Sequence, residues 1–97
     1  MRVRYTLAAR EHLKEIGDFI AKDNLPAANR VIQAIRQAID LLRDQPNMGR
    51  RGHIDGTREL VVPNLPYYAA YRLTETAVEV FAVIHTARQW PEMDREQ

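Results

Sequence analysis

Cysteine is absent from this 97-residue chain, which excludes a disulfide framework and any thiolate nucleophile and leaves core packing to hold the fold. No apolar run approaches the roughly 18 residues of a membrane span, and Met1-Arg2-Val3-Arg4-Tyr5 carries nothing like the apolar stretch of a signal peptide. A protein of the reducing cytoplasm, without a membrane partner, is expected. Surplus charge is nearly absent too. Fourteen Lys and Arg stand against 13 Asp and Glu, whereas a dedicated duplex-binding protein needs a large basic surplus to displace counterions. His12, His53 and His85 share no ligand spacing, so no metal is expected. Gly49, Gly52 and Gly56 follow no nucleotide-binding pattern, and Thr57 and Thr86 lack an evident base and orienter. Neither a cofactor nor a small-molecule substrate is expected.

The apolar residues, 45% of the chain, are spread along its whole length, and the length suits one core, so residues 1–97 read as a single domain. The near-neutral balance conceals an asymmetry. Residues 1 to 52 hold ten Lys or Arg against six acids, and residues 53 to 97 hold four against seven. The first half therefore offers a basic surface to an acidic partner.

Val3 and Tyr5 alternate with Arg2 and Arg4, the pattern of a short strand with one face to the core, and Thr6 then suits a helix cap. From Leu7 to about Lys22, the residues Ala9, Leu13, Ile16 and Ile20 recur at helical spacing, with Phe19 widening the stripe. Asn24 suits the C-terminal turn of that helix and Pro26 the first position of the next. In the second helix Ala28, Val31, Ile32, Ile35, Ile39 and Leu42 form one apolar face down to about Arg43, and the short link makes the two helices an antiparallel hairpin. Charges on the outer faces, including Arg36 with Asp40 and Asp40 with Arg43, read as solvated surface. Gln45 to Gly56 contains one Pro and three Gly and reads as a loop with no regular element. Three sequential strands follow, Arg58–Val62, Tyr67–Leu73 and Val78–His85, joined by short breaks that make neighbours antiparallel. The last is apolar on both faces, which places it centrally. The fold class is α+β in the order βααβββ, a helical hairpin on one face of a small, mainly antiparallel sheet.

Chemistry concentrates in His85-Thr86-Ala87-Arg88-Gln89-Trp90-Pro91. A strand ending in His85 and then Arg88 delivers a titratable imidazole and a fixed cation to the sheet rim. Metal-free RNA cleavage needs such groups, one to move a proton from a 2′-hydroxyl and one to stabilise the phosphorane. Equally, a His at a strand end is commonly hydrogen-bonded structure, and an Arg there commonly pairs with an acid such as Glu59 or Glu79. Tyr67, Tyr68 and Tyr71 suit base stacking or the core, with the core favoured for Tyr67 and Tyr71.

Pro46-Asn47-Met48-Gly49, Thr57-Arg58-Glu59-Leu60-Val61-Val62, Tyr67-Tyr68-Ala69-Ala70-Tyr71-Arg72 and Val83-Ile84-His85-Thr86-Ala87-Arg88-Gln89-Trp90-Pro91, in that order after a helical hairpin, resemble the RelE/ParE family of toxins from type II toxin-antitoxin systems. The resemblance covers essentially the whole chain. It implies the family's fold and a cognate antitoxin that wraps and neutralises the toxin. It also implies one of two targets: the ribosome with its mRNA, cut by RelE-like endoribonucleases, or DNA gyrase, poisoned by ParE-like members. The nuclease branch carries lysines on the strand after the basic loop, an Arg on the next strand, another Arg at the end of the last, and a Tyr or His beyond. Here Glu59 and Val61 stand in the lysine positions, Tyr68 or Ala69 replaces the strand Arg, Arg88 matches, and the tail has no Tyr. A carboxylate there repels a scissile phosphate. The resemblance is thus closer to the ParE-like branch. His85, Arg88 and Arg58 are the catalytic candidates if the chain is a nuclease, and Arg50, Arg51, Tyr68 and Trp90 the candidates for partner binding. A non-toxic interaction module of the same fold is the third reading.

Overall fold

The computed structural model describes residues 1–87. The elements are β1 (Arg2–Tyr5), α1 (Leu7–Ala21), α2 (Leu25–Asp40), a 3₁₀ turn (Leu41–Arg43), β2 (Arg50–Arg51), β3 (Thr57–Val61), β4 (Tyr67–Leu73) and β5 (Ala77–His85). Thr6 caps α1 as its sequence suggests, its hydroxyl accepting the Ala9 N–H at 3.2 Å. Asn24 differs from expectation. Its backbone is extended, with φ of −159°, so its side chain folds forward to accept the Ala27 N–H at 2.9 Å and caps the start of α2.

The five strands form one sheet in the order β1-β5-β4-β3-β2. β1 runs parallel to β5, from which the helical hairpin and three further strands separate it in sequence, and every other pair is antiparallel. β2 is the element that composition seemed to exclude. It is two residues long, pairing Arg50 with Glu59 and Arg51 with Arg58, and the glycines on either side, Gly49 and Gly52, fit its brevity.

Both helices pack on one face of the sheet. Ala9, Leu13, Ile35, Ala38, Ile39 and Leu42 meet Leu60, Val62, Ala69, Tyr71, Val78, Val80 and Val83, with Val3 and Tyr5 against them. Alternation sends the intervening strand residues to the opposite, outer face, where Tyr68, Ala70 and Ala82 form a second cluster with Phe81 and Ile84. A bulge between Ala70 and Tyr71 lets Ala82 pair with Ala70 and Val80 with Tyr71, so Phe81 is the extra residue. Phe19, expected to widen the apolar stripe, is 72% exposed instead, with the Lys22 ammonium 6.0 Å from its ring centre. Arg36, expected beside Asp40, lies 5.1 Å over the ring of Tyr5, while Arg43 does bind Asp40, at 2.5 Å.

Tyr71 ties the long loop to the core. Its ring is fully buried, and its hydroxyl accepts the Gly49 N–H at 2.9 Å and donates to the Pro46 carbonyl at 2.8 Å. Burial pushes the Tyr71 hydroxyl pKa up, against the opposing effects of the Gly49 N–H and the Arg58 charge. A Cβ on Gly49 would sit 2.7 Å from that hydroxyl and 2.9 Å from the Glu59 carbonyl, so the close approach requires glycine. Tyr71→Phe leaves two backbone groups without their partner and is expected to lower unfolding free energy by about 1–3 kcal/mol in urea denaturation. Gly17→Ala should act oppositely, because its Cβ would only touch Ile32 Cγ1 at 3.4 Å. Relief of glycine's backbone entropy in mid-helix predicts a gain of about 0.5–1 kcal/mol in the same assay.

Candidate partner-binding surfaces

Two surfaces present chemistry. The first is the outer face of the sheet. Residues paired laterally across the strands form three rows: Arg4, Glu79, Arg72 and Thr57; then Ala82, Ala70, Glu59 and Arg50; then Ile84, Tyr68 and Val61. Glu59 is 2% exposed and is the buried charged residue among the described residues. Its Oε1 accepts from Arg50 Nε at 3.3 Å and Nη2 at 3.2 Å. Its Oε2 accepts from the His53 backbone N–H at 3.0 Å and lies 2.5 Å from His53 Nδ1. Burial raises the Glu59 pKa, but the His53 ring, the His53 backbone N–H and Arg50 together outweigh it and hold the carboxyl below its usual range. Arg50 also lies 5.7 Å over the ring of Tyr68, whose hydroxyl pKa rises through burial and the Glu59 charge. At the other side of the face, Glu79 binds both Arg4 and Arg72, and Arg72 stacks 4.8 Å over Phe81.

The second surface follows the exposed edge of β5. β1 ends at Tyr5, opposite Val80, and the Thr6 N–H makes the last backbone bond on that side, to Val80 O at 2.9 Å. Beyond it the Val83 N–H donates to His12 Nδ1 of α1 at 3.1 Å. A groove of about 1160 Å³ runs here, lined by His12, Ile16, Phe19 and Ile20 of α1, by Tyr67, Val83, Ile84 and His85, and toward the outer face by Thr57, Arg72, Phe81 and Ala82.

His85 belongs to this groove. Its ring meets Tyr67 edge-on at 5.3 Å, and its Nδ1 accepts the Ala87 N–H at 3.0 Å. With Nδ1 accepting, the ring N–H is on Nε2. Among the described residues no group of three or more His, Asp or Glu is placed to hold a metal ion.

A family model for the ParE toxin of the type II toxin-antitoxin system parDE matches residues 3–90. The chain belongs to the ParE toxin family. Y4kP of Sinorhizobium fredii, which carries the name of a candidate toxin, is 45% identical over 92 residues, covering 95% of each chain. A chain from the chromosomal ParDE toxin-antitoxin system of P. aeruginosa shares the fold, with a TM-score of 0.80 at 20% identity over 88% of this chain and 95% of that one. Membership makes the protein the toxin component of such a system, with an antitoxin as partner. No described helix is long and apolar enough to cross a membrane.

Within this ParE-family chain, the residues singled out from sequence do not gather in one site. Arg58 points to the helix side, where its Nη1 donates to the carbonyls of Asn47 at 3.2 Å and Gly49 at 2.8 Å. His85 lines the β5 groove, Arg50 and Tyr68 meet on the outer face, and Arg51 is exposed on the β2 edge. Arg88 and Trp90 lie outside the described residues. Sequence reasoning missed the His53–Glu59 pair and the His12 bond to β5. A glutamate at an outward strand position six residues after a histidine was the available signal for the first; the second joins residues 71 apart and left none.

Glu59 makes the stability of the domain depend on pH. Its folded pKa lies below the ordinary 4.5, so its stabilisation is complete above 4.5 and is lost as pH falls through the lower folded value. Urea midpoints should therefore fall less steeply below pH 4.5 for Glu59→Gln than for the natural chain, and parallel curves would show that the carboxylate contributes nothing.

Proposed function

We propose that this ParE-family toxin acts by binding DNA gyrase and is neutralised by an antitoxin lying along the β5 groove. The observation that carries the target is Glu59. At a position where a ribosome-dependent nuclease presents a lysine, this chain has a carboxylate, and it is neutralised by Arg50 and His53 rather than directed at a substrate. Val61, at the second lysine position, is 45% exposed and uncharged. His85 has its Nδ1 occupied by a backbone N–H, which weakens its case as a general base. Binding by an extended surface needs none of these groups to react.

The antitoxin reading rests on the groove. An apolar helix or an added strand is the usual way a short segment is captured, and the distal part of β5 combines a strand edge with the apolar side chains of α1. Phe19, exposed at 72% and lining the groove, has the size and position of a binding anchor. Phe19→Ala is expected to weaken antitoxin affinity by about 2 kcal/mol, some thirtyfold, in calorimetric titration. An unchanged affinity would remove the groove from the reading.

Purified toxin added to gyrase should inhibit supercoiling, and added to programmed ribosomes it should leave the message intact. The ribonuclease alternative makes the opposite forecast, with breaks in the message that drop about 10²- to 10³-fold in rate on Arg88→Ala. Such breaks would replace gyrase by the ribosome as the target.

A further inference from the structure

On the outer face, Arg2, Arg4, Arg50 and Arg72 stand against the two carboxylates Glu59 and Glu79. Each carboxylate lies between two basic side chains, Glu59 between Arg50 and His53 and Glu79 between Arg4 and Arg72. Both carboxylates are thus engaged on two sides, while the arginines that hold them keep open surface. The side chains of Arg4, Arg50 and Arg72 remain 52%, 57% and 51% exposed. Arg50 uses its Nε–H and an Nη2–H on Glu59, out of the five N–H donors a guanidinium carries. Arg50 also lies over the Tyr68 ring, and Arg72 over that of Phe81, so each is held by an aromatic side chain as well as by a carboxylate. These are cations whose orientation is set before a partner arrives, which lowers the entropy lost on binding.

Both helices occupy the other face. Beside the oriented arginines, the exposed Val61 and the half-buried Ile84 flank the buried Tyr68. We propose that this outer face, centred on Arg50, holds the toxin's target through an acidic, partly apolar segment of that target protein, with Glu59 as the residue that positions Arg50. The inference rests on the target-binding reading above for what the face acts upon, and on the charge arrangement alone for what it binds. A nucleic-acid strand fits less well. Tyr68 is only 4% exposed beneath Arg50, so its ring offers no stacking platform, and the net charge of +1 supplies little of the counterion release that drives strand binding. Carboxylates suit the planar donors of arginine.

The test uses the full chain and two fluorescent probes of equal charge, a peptide alternating Glu and Leu and an oligothymidylate. The peptide should bind, weaken with added salt, and lose about tenfold in affinity on Arg50→Gln and on Arg72→Gln, while Arg50→Gln, off the groove, leaves antitoxin affinity within about twofold. Glu59→Gln should weaken the peptide with the arginines intact, which a role in bulk stability alone would not do for a chain still folded by circular dichroism. Absence of peptide binding, or binding indifferent to Arg50→Gln, overturns the proposal. Tighter binding of the oligothymidylate assigns the face to nucleic acid, and a parallel loss of antitoxin affinity assigns it to the antitoxin. Either result sinks the proposal as stated. If the peptide behaves as expected while supercoiling is unaffected, gyrase is the wrong target and the face stands.

Discussion

The first strand of this chain pairs with the last. Arg4 sits opposite Glu79 in a parallel ladder, and closing so long a loop carries an entropic cost that only a well-packed result can offset. The helical hairpin meets that need. It covers Val78 and Val80 of β5, both fully buried, with the apolar stripes of α1 and α2. With β1 on one side and β4 on the other, β5 becomes an interior strand for its first half. Because β1 has only four residues, the second half of β5 is left as an edge, and the groove beside α1 follows from that shortfall. His12 supplies one acceptor where the missing strand would have supplied a carbonyl.

The outer face is organised by a different economy of charge. A carboxylate as buried as Glu59 is unfavourable unless its oxygens are satisfied. Here Glu59 bonds to the stretch Arg50 to His53, so one buried group fixes the course of the basic loop. The Tyr71 hydroxyl and the Arg58 guanidinium do the same for Pro46 to Gly49 from the helix side. A long loop is thus held at both ends by side chains of the sheet, and the cations it carries are presented on a firm base. The β5 groove adjoins the outer face at Thr57, Arg72, Phe81 and Ala82, while Arg50 lies off it.

Much of the fold was legible from local pattern. The spacing of Leu13, Ile16, Ile20 and of Ile35, Ile39, Leu42 is helical whatever surrounds it, and the β-branched and aromatic runs around Tyr67–Leu73 and Ala77–His85 mark strands. Short polar links between them dictate antiparallel neighbours. Departures came where local propensity competed with long-range pairing. Arg50–Arg51 forms a strand only because Glu59 and Arg58 are there to pair with it, and Asn24 caps forward because its backbone is extended in the turn between the helices.

Family-level function was equally legible, since four strings in the correct order on the correct elements carried it. The site was not. His85, Arg88 and Arg58 are near one another in residue type and in the expected chemistry of a nuclease, yet alternation in β3 sends Arg58 to the helix side and Glu59 to the outer face. Sequence by itself determined the two helices, the longer strands and the toxin family, because each rests on short-range periodicity or on residue identity. Tertiary structure decided which polar groups meet: Glu59 with Arg50 and His53, Glu79 with Arg4 and Arg72, and the Val83 N–H with His12. Those pairings depend on strand register and on the crossing of α1 over β5, and a one-residue slip in register would reverse the face of every side chain involved.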